Sequence, residues 1–343
     1  MAAHFFEGPG IIPDNLAYDK SIIAYDGILS CKCNNFYPII GNIIRTIAID
    51  TAYYNQFFIR HDKVLREMGL TFLPVRLGAK VCFAYDSFGY QWDKLRNDQN
   101  IWGISKDQMY ENLEKQLLKK REALRNDVIL DAGCGHGRVT DAFSRLSDNV
   151  VSLEISESIN NAFVQCANKK NVLFIQADVM NPPFSIESFD VVYSAGVLHH
   201  TPNTKKAAQA LMPLVKKTGR FYIWLYPKRS FLFMVTIKYI RFFTSRLPRN
   251  LLWTLLRLSI PLFNFWKLIK HENYFTAIRE DEVLINLFDC YSPRYQHRHT
   301  PLEITAWFKE KGFTETSLLH FNKDNLDMIA IKGNSHDGVS FSS

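Results

Sequence analysis

Five compact apolar segments between residues 127 and 228 constrain the fold of this chain most strongly. They are DVILDAG, NVVSLEIS, NVLFIQAD, FDVVYSAG and GRFYIWLYP, all rich in Val, Ile and Phe, and helical or loop segments separate most of them. Continuous apolar strands that alternate with helices indicate a parallel sheet covered on both faces. The sequence therefore predicts a doubly wound α/β core with a mostly parallel sheet over residues 126–228.

The overall composition is that of a globular protein. Of the 343 residues, 47% are hydrophobic and 22% are charged, which allows one large domain with insertions or two modest domains. No stretch of 18 residues lacks a charge, which argues against a membrane-spanning helix, and the N-terminal residues lack a signal-peptide pattern. Six scattered cysteines fit neither a disulfide scaffold nor a repeating zinc pattern, so a reducing cytoplasm is expected. The net charge of +7 permits an anionic partner, but the dispersed basic residues do not favour nucleic acid.

The segments before the core differ from it in pattern. Turn-forming dipeptides at Asp26-Gly27, Asn34-Asn35 and Gly41-Asn42 punctuate short apolar runs, which predicts a small β-rich accessory region over residues 1–75. Residues 76–125 are expected to supply a lid and a lead-in helix. Ser105 and Gln108 have the spacing of a capping box at the start of that helix.

A helical insertion is predicted at 229–290, after the fifth strand. Its first helix carries Lys238, Arg241 and Ser245 at helical spacing on an otherwise aromatic and aliphatic surface, and Pro261 is expected to break the second helix. The insertion is interpreted mainly as a cap over a substrate pocket, because apolar stripes usually pack on protein. A dimer contact and a peripheral membrane contact through 231–270 are the alternatives.

The end of the chain is predicted to return to the core. Residues 291–333 hold a capping box at Thr300 and Glu303 and a final strand, LDMIAIKG, and 334–343 form a flexible tail.

The chemistry is expected at the glycine-rich turn that follows the first core strand. The strand ends at Asp131, and the turn GCGHG leads into a helix. Because glycine has no side chain, the backbone of this turn can approach a ligand closely. Glu154 ends the second strand, where a carboxylate can bind both hydroxyls of a ribose. Asp178 follows the third strand at the edge of an adenine pocket.

Taken in order, these segments closely resemble the class I S-adenosylmethionine-dependent methyltransferases. The similarity covers DAGCGHGR, LEIS, QADVMNPPF, FDVVYSAGVLHHTPN and KKTGRFYIWLYP, and it resumes at 291–332 with YSPRYQHRHTPLEITAWFKEKGF. SFGYQW at 87–92 is similar to a segment that precedes the core in one bacterial subgroup. The resemblance implies a Rossmann-like fold, S-adenosyl-L-methionine as cofactor, and methyl transfer to a small-molecule acceptor in biosynthesis.

The same resemblance implies a role for each matching residue. Asp131 would hold the methionine portion, Glu154 the ribose, and Asp178 the adenine amino group. The other cofactor contacts that it implies are Gly133, Cys134, Gly135, Gly137, Ile155, Val179, Ala195, Val197, Phe88 and Trp92. Cys134 is interpreted as a small buried filler rather than a nucleophile.

The opening region of that subgroup often resembles a zinc ribbon, and in this chain the match is incomplete. Cys31-Lys32-Cys33 is one residue short of the usual pair, and no second pair occurs before Cys82. A tetrahedral zinc site needs four N or S ligands, so no metal is expected.

The catalytic assignment concerns the turn after the fourth strand. His199 or His200 is expected to act as general base, although one of two adjacent residues often faces inward as a structural group. Tyr295 and His297, brought across the site by the closing section, are expected to orient the acceptor. Tyr291, Arg294 and His299 complete a polar-aromatic cluster that predicts a substrate-binding loop. It is expected to make a poor metal site because no carboxylate lies near the His-x-His.

Two other functions remain open from the sequence. One is a catalytically silent S-adenosylmethionine-binding protein, and the other is an enzyme that transfers a different group from the same cofactor. The complete motif set disfavours the first. A nicotinamide cofactor is disfavoured because GCGHG lacks the G-x-G-x-x-G spacing.

Overall fold

The computed structural model describes residues 1–8, 10–11, 24–48, 51–72, 74, 87–91, 94, 104–270 and 280–334, and only the backbone at 262–270 and 282. Trp92, one of the predicted cofactor contacts, lies outside these residues, as do Cys82 and most of the predicted tail.

The helices and strands are numbered in chain order. The N-terminal ones are β1 (Ala2–Phe5), β2 (Gly27–Ser30), β3 (Asn35–Ile40), β4 (Ile43–Arg45), α1 (Ala52–Glu67), β5 (Thr71–Phe72) and α2 (Lys106–Leu117). The core elements are β6 (Val128–Ala132), α3 (Arg138–Leu146), β7 (Asn149–Glu154), α4 (Ser158–Gln165), β8 (Val172–Gln176), β9 (Phe189–Ala195), α5 (Thr204–Leu211) and β10 (Val215–Leu225). They are followed by α6 (Phe231–Thr244), α7 (Arg249–Lys270), α8 (Glu280–Tyr291), α9 (Pro301–Lys309), β11 (Phe313–Phe321) and β12 (Leu326–Lys332).

A single sheet runs through the described part of the molecule, in the order β1-β2-β3-β4-β8-β7-β6-β9-β10-β12-β11, with β5 beside β3. Along the stretch β4-β8-β7-β6-β9-β10, every pair of neighbouring strands is parallel. Strand β12 is antiparallel to both of its neighbours, β10 and β11. The N-terminal strands therefore extend the core sheet through the pairing of β4 with β8.

Strand β6 lies at the centre, with Leu130 opposite Val151 of β7 on one side and Val192 of β9 on the other. The chain leaves β6 for β7 in one direction and returns past it to β9 in the other. This reversal opens a crevice at the carboxyl ends of the strands, where ligands bind in open α/β sheets.

Both faces of the sheet are covered, as a parallel sheet requires. On one face Ile129, Val191 and Tyr193 pack with Phe143 of α3 and Leu113 of α2. The opposite face is covered by α5, α9 and the residues around them. The prediction of a doubly wound, Rossmann-like α/β fold is confirmed.

Both predicted capping boxes are present. Ser105 accepts from the Gln108 backbone N–H at the start of α2, and Thr300 accepts from that of Glu303 at the start of α9. The returning strand is β12.

Three local features differ from the sequence predictions. Helix α1 lies within the region expected to be β-rich, and its buried residues Tyr53, Phe57 and His61 recur at helical spacing. Strand β11 was not predicted. Pro261 lies inside α7 and does not end it; a proline removes one backbone donor, and packing on the preceding turns holds the helix.

Helices α6, α7 and α8 follow β10, where a helical insertion is predicted; the role of this insertion as a cap stays a prediction. The inner side of α7 packs on α8 through Leu252, Leu256 and Ile260 against Leu284 and Phe288. Across the described residues, no helix combines the length and apolar character that crossing a bilayer requires.

Candidate active site

The glycine turn between β6 and α3 has a backbone conformation that favours glycine at three positions. Gly133, Gly135 and Gly137 have φ of 90°, 56° and 91°, in the left-handed region. A Cβ on Gly133 would lie 2.4 Å from a methyl carbon of Val197. The turn is thus packed directly against Val197, in the segment that follows β9; the cofactor contact of Val197 stays a prediction.

Glu154 holds the glycine turn in place. The Gly135 N–H donates to its Oε2 over 3.1 Å, and the Ser156 N–H donates to its Oε1 over 2.9 Å. Burial raises the pKa of the Glu154 carboxyl, and these N–H bonds partly offset that shift. A carboxylate has about four acceptor positions. Two remain for the vicinal hydroxyls of a ribose, so this side chain fits the predicted nucleoside.

Asp131 is a second buried carboxyl at the same turn. Thr140 Oγ1 donates to its Oδ2 over 2.7 Å. Burial raises the pKa of Asp131 to about 7, and the charge of Glu154 adds to the shift. Two buried carboxylates repel each other, and a nearby positive charge stabilises them. The ammonium and sulfonium groups of a ligand would supply such a charge.

The predicted adenine contacts lie after β7 and β8. Asp178 is buried and its Oδ1 accepts from the Met180 N–H over 2.9 Å, and Val179 is part of the core. Ile155 is half-buried and packs against the apolar cluster of the N-terminal region. The adenine roles of these residues stay predictions. The Cys134 thiol is buried, and burial raises its pKa well above the usual range, which agrees with its interpretation as a filler.

The SFGYQW segment lies over the crevice where it is described. Residues 87–91 are helical, and Ser87 Oγ lies 2.9 Å from Ser292 Oγ of the closing section. The Phe88 ring centroid lies 4.9 Å from that of His200. Gly89 lies near Ser156, directly after the Glu154 strand. The segment thus reaches from the predicted ribose site to the histidine turn.

The two candidate bases differ in their surroundings. His199 is fully buried, its ring centroid lies 4.3 Å from that of Tyr226, and neither ring nitrogen has a hydrogen-bond partner in the described part of the chain. His200 Nδ1 lies 3.0 Å from the Tyr295 carbonyl, and its Nε2 lies 3.8 Å from Asp289 Oδ1. Burial lowers the pKa of both imidazoles, and that of His199 falls well below its usual range. Both rings are therefore neutral near pH 7.

The closing section is joined to the histidine turn through the backbone. The His297 N–H donates to the His199 carbonyl over 2.8 Å, and the rings of Tyr295 and His297 are stacked with centroids 6.1 Å apart. All four predicted catalytic residues, His199, His200, Tyr295 and His297, are thus brought together.

Sequence reasoning missed Tyr226 and Asp289. The Tyr226 hydroxyl donates to Asp289 Oδ2 over 2.5 Å, and Asp289 also faces His200. Asp289 lies in the apolar LINLFDCY stretch of α8, where a lone carboxylate is the signal that could have revealed it. Burial raises the pKa of the Tyr226 hydroxyl, so it remains a donor.

Two further expectations concern metal ligands. His299 does have a carboxylate neighbour, contrary to the argument from sequence, since Glu303 Oε2 lies 3.4 Å from its Nδ1; one helical turn brings the two together. Within the residues that the structure describes, no three His, Cys, Asp or Glu side chains are grouped so as to hold a metal ion.

Cys31 and Cys33, the pair compared with a zinc ribbon, are joined in a disulfide across the turn between β2 and β3.

Each comparison with known proteins matches part of this chain. A family model described as a methyltransferase domain matches residues 130–223. The uncharacterized methyltransferase YcgJ of Bacillus subtilis is 26% identical over 110 residues, which are 31% of this chain and 44% of that protein. The 27-O-demethylrifamycin SV methyltransferase of Amycolatopsis mediterranei is 29% identical over 145 residues, 38% of this chain and 53% of that protein. The chain thus spans about half the length of these curated relatives.

Among solved structures, the magnesium protoporphyrin IX methyltransferase of Synechocystis PCC 6803 with bound SAH has a TM-score of 0.46 and 16% identity, over 74% of this chain and 100% of that one. The matched domain contains the glycine turn, Glu154 and the histidine turn. The domain match and the order of the motifs concern the same stretch of chain: residues 130–223 match a methyltransferase domain, and their motifs are similar to those of the class I S-adenosylmethionine-dependent methyltransferases.

Proposed function

We propose that this protein transfers a methyl group from S-adenosylmethionine to a small-molecule acceptor. The observation that carries the proposal is the placement of two buried carboxyls, Asp131 and Glu154, at a glycine turn that packs against the histidine turn through Val197. When bound, S-adenosylmethionine supplies an electrophilic methyl group. An O, N or C atom of the acceptor attacks the methyl carbon in line with its bond to sulfur, and that bond breaks. The residues of the chain then have to bind, align and shield the two reactants.

On the cofactor side, the carboxyls do the binding. Asp131 would accept from the ammonium of the methionine portion, and Glu154 would accept from both ribose hydroxyls while it keeps its two backbone N–H bonds. Asp178 and Val179 would contact the adenine, and Ala195 and Val197 would form the wall that faces the methyl group. Phe88 would cover the site and exclude water, which favours loss of the sulfonium charge in the transition state.

On the acceptor side, the geometry favours His199 over His200 as the base. Both nitrogens of His200 face protein oxygens, from Tyr295 and Asp289, so this ring is held as a structural support. The nitrogens of His199 have no such partner among the described residues, and a neutral imidazole is able to accept a proton. Tyr295 and His297 would orient the acceptor beside it.

A small acceptor is supported by a relative's name and by the site. The Amycolatopsis relative is named for its action on 27-O-demethylrifamycin SV, a small molecule. The residues around His199 are mainly aromatic, including Trp224 and Tyr226. An acceptor with a flat or apolar body would pack well against them.

Isothermal titration calorimetry with the full-length protein tests the proposal. S-adenosylmethionine and its demethylated product should both bind at one site per chain, and NAD should not bind. Absence of S-adenosylmethionine binding in a folded sample, or binding of NAD in its place, would overturn the assignment. Binding of S-adenosylmethionine without any methyl transfer across a panel of acceptors would favour the silent binding protein.

A further inference from the structure

Helix α6 exposes much of its apolar surface to solvent. Arg241 is only 9% exposed and the adjoining Ser245 is also buried, while Phe233, Met234 and Ile237 are half-buried. Most of its aromatic residues are exposed, Phe231 by 83%, Tyr239 by 68% and Phe243 by 69%. A surface helix normally buries its apolar side, so this arrangement needs a cause.

Polar contacts with the closing section hold α6 in this orientation. The Arg241 guanidinium donates to the Pro293 carbonyl. Thr244 Oγ1 donates to the Tyr291 carbonyl over 2.8 Å. These bonds satisfy carbonyls at the end of α8, and rotating the helix to bury its aromatic residues would break them. These hydrogen bonds therefore keep the exposed aromatic residues of α6 directed toward solvent.

Helix α7 also exposes apolar residues. Leu252, Leu256 and Ile260 are occupied by packing against α8. Leu251, Leu255 and Leu258 are exposed on the other side of the helix. We call the combined surface the outer face; it consists of Phe231, Leu232, Tyr239, Phe242, Phe243, Leu251, Leu255 and Leu258.

The charge of this segment is entirely of one sign. Residues 231–270 contain seven Lys and Arg, and no Asp or Glu occurs between Asp190 and Glu272. The whole chain has 41 Lys and Arg against 34 Asp and Glu, so without these seven the two signs balance. Among the described side chains of this segment, Lys238, Arg246 and Arg257 are exposed beside the apolar residues, with no carboxylate on the same helices. A second copy of the same face would repel these basic side chains, and an anionic surface would attract them.

A basic side chain also lies directly beside one of the exposed rings. The Arg246 guanidinium lies 3.9 Å from the centroid of Phe242. Aromatic residues flanked by Arg and Lys are typical of helices that lie in the headgroup region of a bilayer. The rings enter the boundary between headgroups and acyl chains while the basic groups meet the phosphates.

We propose that the outer face docks this protein on the surface of a lipid bilayer that contains anionic headgroups, with α6 and α7 lying in the interface. The docking is independent of methyl transfer, because it concerns residues outside the cofactor site.

Sedimentation with vesicles tests the proposal with the full-length protein. Vesicles of phosphatidylcholine mixed with phosphatidylglycerol should bind the protein, and phosphatidylcholine alone should bind it weakly. High salt should release most of it, since the attraction of exposed charges is screened. Replacing Phe231, Tyr239 and Phe243 by Ala should lower the partition coefficient by about tenfold or more. Lys238→Glu with Arg257→Glu should also lower it by about tenfold or more.

Matched controls separate the outer face from general surface effects. Ile59, Ile186 and Leu302 are as exposed as the substituted aromatic residues but lie on other elements, and their triple replacement by Ala should leave vesicle binding unchanged. Lys170→Glu with Lys206→Glu makes the same change of net charge elsewhere and should lower binding by less than about threefold. Calorimetry with S-adenosylmethionine should give the same affinity for every variant, which shows that the fold is intact.

Three results would overturn the proposal. One is an absence of binding to anionic vesicles by the native protein. Another is equal loss of binding in the control and outer-face variants. The third is a dimer, detected by analytical ultracentrifugation, that the Phe231, Tyr239 and Phe243 replacements dissociate while vesicle binding is absent. That last result would assign the outer face to a second copy of the chain.

Discussion

The replacement of Glu154 by Ala gives the sharpest test of the cofactor site. In the structure its two carboxylate oxygens accept from the Gly135 and Ser156 N–H groups. The proposed ribose bonds would use the remaining acceptor positions. The replacement removes two charge-assisted hydrogen bonds to ligand, but it also relieves the cost of a buried charge. We therefore expect a net loss of about 1.5–3 kcal/mol of binding free energy, roughly a 10- to 150-fold increase in Kd.

Calorimetry with S-adenosylmethionine measures this change directly. The free energy of unfolding should be measured in parallel, because the Gly135 and Ser156 N–H groups lose their acceptors in the variant. Glu310→Ala serves as a control, since the Glu310 carboxylate accepts from Lys205 and Gln209 on the surface of α5 and lies away from the crevice. An unchanged Kd for a folded Glu154→Ala protein would refute the ribose assignment.

Three further predictions concern the same crevice. Burial raises the pKa of Asp131 from 3.8 to about 7, so the folded state binds this proton more tightly than the unfolded state. The free energy of unfolding should therefore fall as pH rises from about 4 to about 7. In chemical denaturation, Asp131→Asn should remove that part of the pH dependence. His199→Gln should lower kcat by about 10²–10⁴-fold with the cofactor Kd unchanged, whereas His200→Gln should mainly lower the free energy of unfolding, by about 1–3 kcal/mol. Gly133→Ala should weaken S-adenosylmethionine binding at least about tenfold, whereas Gly312→Ala, also at positive φ but with no atom within 4 Å of its Cβ position, should cost about 1 kcal/mol of stability and leave binding unchanged.

Each of these has a contradicting result. An Asp131→Asn protein with the same pH slope as the native protein would place the shifted proton elsewhere. Near-full turnover of the His199→Gln variant would show that alignment alone drives the reaction. Equal binding by the Gly133→Ala variant would mean that the turn does not contact the cofactor.

The core was predictable because its information is local. Each buried strand of a parallel sheet is a continuous apolar run, and each turn after it carries its own ligand groups, so β6 to β10 and the residues Asp131, Glu154 and Asp178 follow from short segments. The capping boxes of α2 and α9 are local for the same reason: donor and acceptor lie three residues apart.

The acceptor side was harder because its contacts join distant segments. Tyr226 and Asp289 are 63 residues apart in sequence, and neither forms part of a recognisable motif. Helix α1 was missed for a related reason. Its inward residues include Tyr53 and His61, which are less apolar than a typical core stripe, and short apolar runs with turn signals before it favoured strands.

Helix α6 shows the limit of reasoning from periodicity. The spacing of Lys238, Arg241 and Ser245 in the sequence correctly predicts a helix, but the three residues differ in their surroundings: Lys238 is exposed, whereas Arg241 and Ser245 are buried. The spacing gives no reason for the closing section, about 50 residues later, to bind Arg241. An amphipathic pattern states which residues share a face of a helix, whereas the rest of the fold decides which face meets protein. In α6 the buried Arg241 fixes which face meets protein, and aromatic residues stay exposed. Exposing apolar surface to water is unfavourable in free energy, so this face needs an explanation in terms of what it binds.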